Sequence, residues 1–234
     1  MDSNPYAAPS SDLSSATDGV GAGVAPYTVG EMRSAFKRFA WSFWSYIGSL
    51  GLMFIGMIGL VVVMAVTNAG SGRNKPLIAD DGSGALMFAL GCGLFMLICL
   101  ATTVLLVVYS CILLYRYWRV MQPYTTLTTP GKAVGFLFIP FYNLYWVFVA
   151  YHGLAKAIDA YIDSHPNTEA PRPQTHLVLV TAILFVISCV PYLGGLAGLG
   201  LIVLIYLSKA RLNNSIIGII ADRARGDVTA ADPR

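Results

Sequence analysis

Charged residues are scarce in this chain of 234 residues, which has 12% Asp, Glu, Lys and Arg against 56% hydrophobic residues. Soluble domains average about 25% charged residues, because each surface helix needs a polar face. Charges are missing altogether from four long stretches, at residues 39–72, 82–115, 133–155 and 173–208. A helix needs about 20 apolar residues to cross a bilayer core about 30 Å thick. The sequence therefore excludes a single soluble domain and predicts an all-α fold, a polytopic integral membrane helix bundle.

Sequence patterns of catalysis and metal binding are also missing. The chain has no HExxH, GxSxG, Walker or dinucleotide-binding pattern, and no Asp or Glu lies within a predicted span. Its four cysteines lie in apolar segments and form no CxxC pair, which is typical of small buried side chains. We therefore expect a protein that is not an enzyme and has no metal site and no cofactor.

The N-terminal segment lacks the basic residues with which a signal peptide begins. Residues 1–27 are rich in Ser, Ala, Gly and Pro, which predicts a disordered tail, and the first span is expected to act as its own insertion signal. Thr28 and Glu31 fit a capping box at the start of a helical domain over residues 28–212. Apolar side chains then recur on one helical face and predict a short amphipathic lead-in at the membrane surface: Met32, Phe36, Phe39 and Phe43.

Hydropathy places about four spans, at residues 44–67, 85–112, 175–190 and 194–210. Lys209 and Arg211 mark the end of the last span, and residues 213–234 are predicted to be a polar C-terminal tail. The two short spans form a hairpin in this interpretation, because one helix over 173–208 would be about 54 Å long. A single bent helix over 175–210 is the alternative.

The segment 130–155 is apolar enough to cross the bilayer but contains Pro140 and Asn143 near its middle. Proline removes a backbone donor and clashes with the preceding turn, so we expect a short helix to about Ile139, a bend and a second helix from about Leu144. Irregular backbone at membrane depth requires shielding by protein or water. This pattern favours a proline-broken re-entrant or interfacial helix pair, with a crossing segment as the alternative.

Lysine and arginine decide between these arrangements, because cytoplasmic loops carry an excess of both. Four crossings with a re-entrant segment place ten basic residues inside and two outside. A crossing segment combined with one bent helix gives eight against four, and five crossings give six against six. The first arrangement is preferred and predicts cytoplasmic N- and C-termini in a bacterial cytoplasmic (inner) membrane.

Residues 130–146 form the most distinctive stretch, which reads Pro-Gly-Lys-Ala-Val-Gly-Phe-Leu-Phe-Ile-Pro-Phe-Tyr-Asn-Leu-Tyr-Trp. This box resembles one found in uncharacterised bacterial multi-pass membrane proteins of the domain-of-unknown-function type, in which a Pro-Gly-Trp-Ala-Val-Gly version occurs. The resemblance covers about residues 109–212. It implies a multi-pass membrane fold and supplies no catalytic residues.

Candidate functional or structural residues come from this box and the segment that follows it: Pro130, Gly131, Lys132, Gly135, Pro140, Asn143, Tyr145, Trp146 and His152. The preferred interpretation is a non-enzymatic scaffold, sensor or accessory subunit. A small-solute transporter or channel using the break around Pro140 and Asn143 is the alternative. Expected partners are the lipid bilayer and another membrane protein or a homo-oligomer, and the basic residues do not form a nucleic-acid footprint.

Overall fold

The computed structural model describes residues 26–70, 83–188 and 193–231, and every regular element in those ranges is helical. The predicted tail up to residue 25 and most of the loop between the first two spans lie outside the described residues. The α-helices are α1 Val29–Gly70, α2 Ser83–Met121, α3 Pro130–Gly135, α4 Tyr142–Val147, α5 Gly153–Ser164, α6 Thr175–Ser188 and α7 Leu193–Ala231. Short 3-10 turns cover Gln122–Tyr124 and Phe136–Phe138, and a π-helical turn at Phe148–His152 joins α4 to α5.

The first helix begins at the capping box that the sequence predicts. The Thr28 backbone N–H donates to Glu31 Oε2 at 2.8 Å, and the Glu31 N–H donates to Thr28 Oγ1 at 3.2 Å. These bonds lower the pKa of the Glu31 carboxyl, because they favour its charged form. The cap fixes the point at which the chain becomes helical.

The apolar core lies at one end of the molecule, where α1 begins and α2 ends. Met32 and Phe39 of α1 are buried there against Trp118 of α2, Ile158 of α5 and Ile216 of α7. The segment predicted as a separate surface lead-in is therefore the first part of one 42-residue helix, and its apolar face packs on protein. That prediction took lipid to be the only apolar neighbour, whereas other helices of the chain supply apolar side chains at this point.

Away from this core, α1 after residue 50 and α2 before residue 113 pack along each other and expose most of their described apolar side chains. Ser49 Oγ and Thr102 Oγ1 approach to 3.4 Å between the two helices. Farther out, side chains such as Leu52, Ile55 and Leu97 remain mostly exposed. Among the described residues, two segments are long and apolar enough to cross a membrane, Val29–Gly59 and Leu90–Tyr124.

Helices α6 and α7 fold back side by side. Thr181 Oγ1 and Ser208 Oγ lie 2.7 Å apart, which favours the hairpin over one bent helix for residues 175–210. The Tyr206 ring lies 5.1 Å from that of Phe43 and 5.8 Å from that of Trp44, centroid to centroid. From this level α7 extends back about 20 Å to Leu193, whereas α1 extends about 40 Å from Trp44 to Gly70, at 1.5 Å per residue. The α6–α7 hairpin therefore extends about half as far from the core as α1 does.

The final helix differs from the prediction of a polar tail at residues 213–234. Helix α7 continues to Ala231, and Leu212, Ile216, Ile219 and Ile220 are buried in the core. These positions recur every three or four residues and form one helical face, so they pack while Arg211 remains exposed. The sequence alone shows only a small apolar patch here. The apolar surface on which this part of α7 packs is formed by other helices, so the sequence does not reveal it.

Candidate functional site

The box at residues 130–146 folds as two short arms joined by a sharp bend. Thr129 caps α3, with its Oγ1 accepting from the Lys132 N–H at 3.4 Å, and Pro130 occupies the first helical turn. After Phe138 the helix stops, because Pro140 cannot continue the hydrogen-bond ladder. Phe141 then adopts a φ of 62°, a left-handed conformation that is rare for a bulky residue, and α4 begins at Tyr142. The break predicted around Pro140 is present.

The two arms are held together by Trp146. Its indole N–H donates to the Ala133 carbonyl oxygen at 3.1 Å, and its ring lies 4.8 Å from that of Phe136. A second indole anchors the returning arm, since Trp118 Nε1 donates to the Ala150 carbonyl oxygen at 3.0 Å. Ala150 lies in the π-helical turn, where the usual backbone ladder is interrupted. The box is therefore a helical hairpin that is fastened to α2.

A cavity of about 390 Å³ opens between this hairpin and helices α1, α2, α6 and α7. Its volume lies in the range of roughly 300–1,000 Å³ that is usual for small-molecule sites. Most of the wall is apolar or aromatic. The polar side chains that line it belong to Tyr46, Ser110, Cys111, Asn143, Tyr151, Thr181, Ser208 and Lys209.

Lys209 is the charged residue of this cavity and is only 7% exposed. Its ammonium lies 4.5 Å from the centre of the Phe39 ring and 5.6 Å from that of Tyr151. No carboxylate of the described residues forms an ion pair with it. The two rings provide a partial cation–π substitute, but the positive charge has no anionic partner.

Asn143 supplies a second unsatisfied group. Its Oδ1 is buried and has no hydrogen-bond partner among the described residues. Thr181 and Ser208 satisfy each other, and Thr181 also donates to the Leu177 carbonyl oxygen at 2.7 Å. Lys209 and Asn143 thus both have unused bonding capacity toward the cavity.

The cation of the cavity lies toward one end. Thr181, Ser208 and Lys209 lie toward the core end, whereas Phe185 on α6 and Ile202 on α7 lie about one to two helical turns farther out. The cavity therefore has a cationic inner end and a mainly apolar outer part, in which Tyr46 and Asn143 are polar.

Of the nine residues singled out from the sequence, Asn143 lines the cavity. Pro130 is buried, and Gly131, Lys132, Gly135 and Pro140 are exposed. Tyr145 is 62% exposed, Trp146 closes the box, and His152 is half-buried with an unpartnered Nδ1. The structure brings these residues to one hairpin but not to one site, and their functional roles stay predictions.

Lys209 was overlooked because it was interpreted as the charge that ends a span. One signal was present in the sequence: Leu212 and Ile216, three and seven residues farther on, share its helical face. A lysine on an otherwise apolar face of a continuing helix is predicted to be buried.

Groups of His, Cys, Asp and Glu that could hold a metal do not occur among the described residues. The cavity as described holds a cation, an amide, hydroxyls and one thiol, that of Cys111. Such a set could bind and orient an anionic or hydroxyl-bearing molecule.

A family model described as a domain of unknown function, DUF4328, matches residues 73–191. Comparisons with curated proteins and with solved structures gave no match. The family model covers just over half of the chain and includes α2, the box, α5 and α6. All of helix α7, which carries Lys209, lies outside the matched residues. The chain belongs to the DUF4328 family.

Proposed function

We propose that this protein is a non-enzymatic sensor, scaffold or accessory subunit embedded in a bacterial inner membrane. One observation carries the membrane placement: most described apolar side chains of α1 after residue 50 and of α2 before residue 113 stay exposed. In the most apolar windows of the two candidate segments, only 17% and 11% of residues are buried. A core helix of a soluble protein would be mostly buried, and water does not tolerate so much contiguous apolar surface.

The basic residues support an orientation. Exposed cations surround the packed end of the molecule: Arg33, Lys37, Arg38, Arg119, Lys132, Lys156, Arg172 and Arg211. By the positive-inside rule this end faces the cytoplasm, together with both termini. Trp41 and Trp44, which are 78% and 58% exposed, lie just beyond it at the level expected for lipid headgroups.

In this placement α1 and α2 cross the bilayer, and the box enters from the cytoplasmic side and returns to it. The Trp146–Ala133 hydrogen bond supports the return, because it holds the two arms of the box side by side. Helices α6 and α7 also enter from the cytoplasmic side. Their reach of about 20 Å is less than a core of about 30 Å, so the four crossings expected from hydropathy stay a prediction.

Two experiments test the proposal. The protein should remain in the membrane fraction after a carbonate wash, and release into the supernatant would contradict the membrane placement. Tagged protein in nanodiscs should then capture a specific membrane partner or a second copy of itself. Repeated clean captures that return neither would contradict the scaffold and accessory roles.

Transport of a small solute is the second candidate, and the unpartnered Asn143 Oδ1 in the cavity is the observation that favours it. A carrier of this kind exposes polar groups of a broken helix to its substrate. Replacement of Asn143 by Leu should then abolish a measurable solute flux in a folded protein. Unchanged flux in Asn143→Leu would remove this candidate.

A further inference from the structure

We infer that the cavity binds an anionic amphiphile, a molecule with a hydrocarbon chain and a carboxylate or phosphate headgroup that pairs with Lys209. The inference rests on the proposed membrane placement and adds a ligand class to it.

The first argument is charge. Lys209 is almost completely buried, and no carboxylate among the described residues neutralises it. A buried charge is normally paired, because removing an ion from water without compensation is costly. Phe39 and Tyr151 stabilise the ammonium only in part. Lys209 itself lines the cavity, so an anion in the cavity can reach it. A bound anionic headgroup supplies the missing partner.

The second argument is the division of the cavity into two ends. Its wall is mainly hydrocarbon and aromatic away from Lys209, and Phe185, Ile202 and Leu106 form the outer end. An inorganic anion or a small polar solute would leave this apolar surface unused. A hydrocarbon chain fills it and keeps this apolar surface away from water.

The third argument is position. Lys209 contacts Phe39, half a turn before the exposed Trp41 and about a turn before Trp44 on α1. The ammonium therefore lies near the headgroup level of the proposed membrane, while the apolar end of the cavity lies deeper. An amphiphile in the cavity has the same orientation as a lipid of the surrounding leaflet, so it enters without turning over.

Asn143 lies just after the bend of the box, about two helical turns before Tyr151. Its Oδ1 has no hydrogen-bond partner among the described residues and can accept a bond from a hydroxyl group of the ligand. The Tyr151 hydroxyl belongs to the same wall and can donate to the anion.

The test uses the full chain in nanodiscs of phosphatidylcholine, with palmitate and the uncharged methyl palmitate as probes, and native mass spectrometry to count bound molecules. The wild type should bind palmitate at least about tenfold more tightly than the ester. In Lys209→Met this preference should disappear, because the side chain keeps its length and loses its charge. Arg211→Met is the matched control: it removes an exposed cation two residues away and should bind like the wild type.

A second arm replaces part of the phosphatidylcholine with phosphatidylglycerol and measures which lipid stays bound after transfer to detergent. Retained phosphatidylglycerol with no palmitate binding assigns the ligand to the bilayer, and palmitate binding alone assigns it to free fatty acids. Both results support the inference when they depend on Lys209. Equal binding of palmitate and its ester by the wild type, without retention of phosphatidylglycerol, would overturn it and requires no variant.

Folding and membrane placement are controlled separately. Lys209→Met should unfold at the same or a higher temperature, since replacing an unpaired buried charge by an apolar side chain removes a desolvation cost. Ala182→Phe, which places bulk in the cavity wall, should weaken binding of both probes and serves as a second variant. A protein that resists carbonate but shows no preference for anions contradicts only the inference, whereas release by carbonate contradicts the proposed function.

Discussion

Gly218 lies where α7 passes closest to the loop between α5 and α6. A Cβ placed on it would be 2.6 Å from Ala170 Cα and 3.2 Å from Pro171 Cδ. These are atoms of a loop that is fastened to α7, because the Thr168 hydroxyl and the Glu169 N–H both donate to Asp222. The loop therefore cannot move away without breaking its own hydrogen bonds.

We expect Gly218→Ala to destabilise the protein by about 1–3 kcal/mol, the usual cost of overpacking a tight contact. Gly200→Ala on the same helix is the control, because nothing lies within 4 Å of its added Cβ. Alanine favours a helix over glycine, so the control should be neutral or slightly stabilising. Thermal unfolding in detergent measures both variants, and equal melting temperatures would show that the Ala170 contact is not tight.

The contacts of some single residues can be predicted from the sequence, whereas those of others cannot. The pair Thr28 and Glu31 was predicted because its bonds form within one turn of chain and need no other partner. The burial of Lys209 and the crowding at Gly218 depend on residues that are distant in the chain, such as Phe39 and Ala170. A single sequence does not specify those distances.

At the scale of elements, the box contains two adjacent aromatic residues of which one is buried and the other exposed. Trp146 is buried and donates to the Ala133 carbonyl oxygen, whereas Tyr145 is 62% exposed. Trp146→Phe should leave that carbonyl without a partner and reduce the packing with Phe136, at a cost of about 1–3 kcal/mol. Hydrogen exchange over residues 130–147 should therefore become faster.

Tyr145→Phe is the matched control for this experiment. It removes one hydroxyl from the neighbouring, exposed position and should leave exchange in the box unchanged. Similar protection in both variants would mean that the indole bond does not hold the two arms together.

The elements also show why the box was predictable and the end of α7 was not. Proline at position 140 breaks a helix by its own covalent structure, so the bend follows from local chemistry. The continuation of α7 to Ala231 follows from packing of Ile216 and Ile219 against α2 and α5. The intrinsic helix preference of a segment stabilises a helix much less than such packing does. Residues 213–231 are polar on average, so their composition does not reveal the apolar face.

For the whole molecule, the proposed placement in the membrane predicts which side each loop faces. Ser164 is exposed at the end of α5 and should lie in the cytoplasm if the box returns to the side from which it enters. A Ser164→Cys variant, with the native cysteines replaced, should react with a membrane-impermeant maleimide only after the cells are opened. Asn74→Cys, between α1 and α2, is the control and should react in intact cells.

Labelling of Ser164→Cys in intact cells would contradict the returning box and favour a segment that crosses. The Asn74→Cys result tests separately whether α1 and α2 cross the membrane, because labelling in intact cells requires residue 74 to face outward.

The helical class and the two long apolar helices were predictable from the charge-free stretches, since lipid solvation requires such composition. The location of the core at the basic end was not, because composition does not reveal which helices meet.

The shortness of the α6–α7 hairpin has a consequence for the lipids around it. In the proposed membrane placement, acyl chains next to α1 and α2 would meet a protein wall of full thickness, whereas next to α6 and α7 the wall would end about 10 Å early. Lipids on that side would have to shorten, tilt or fill the space above the hairpin, and such mismatch costs fractions of a kcal/mol for each Å. A neighbouring protein that covered the gap would relieve this cost, so we expect any lateral association to use the α6–α7 side.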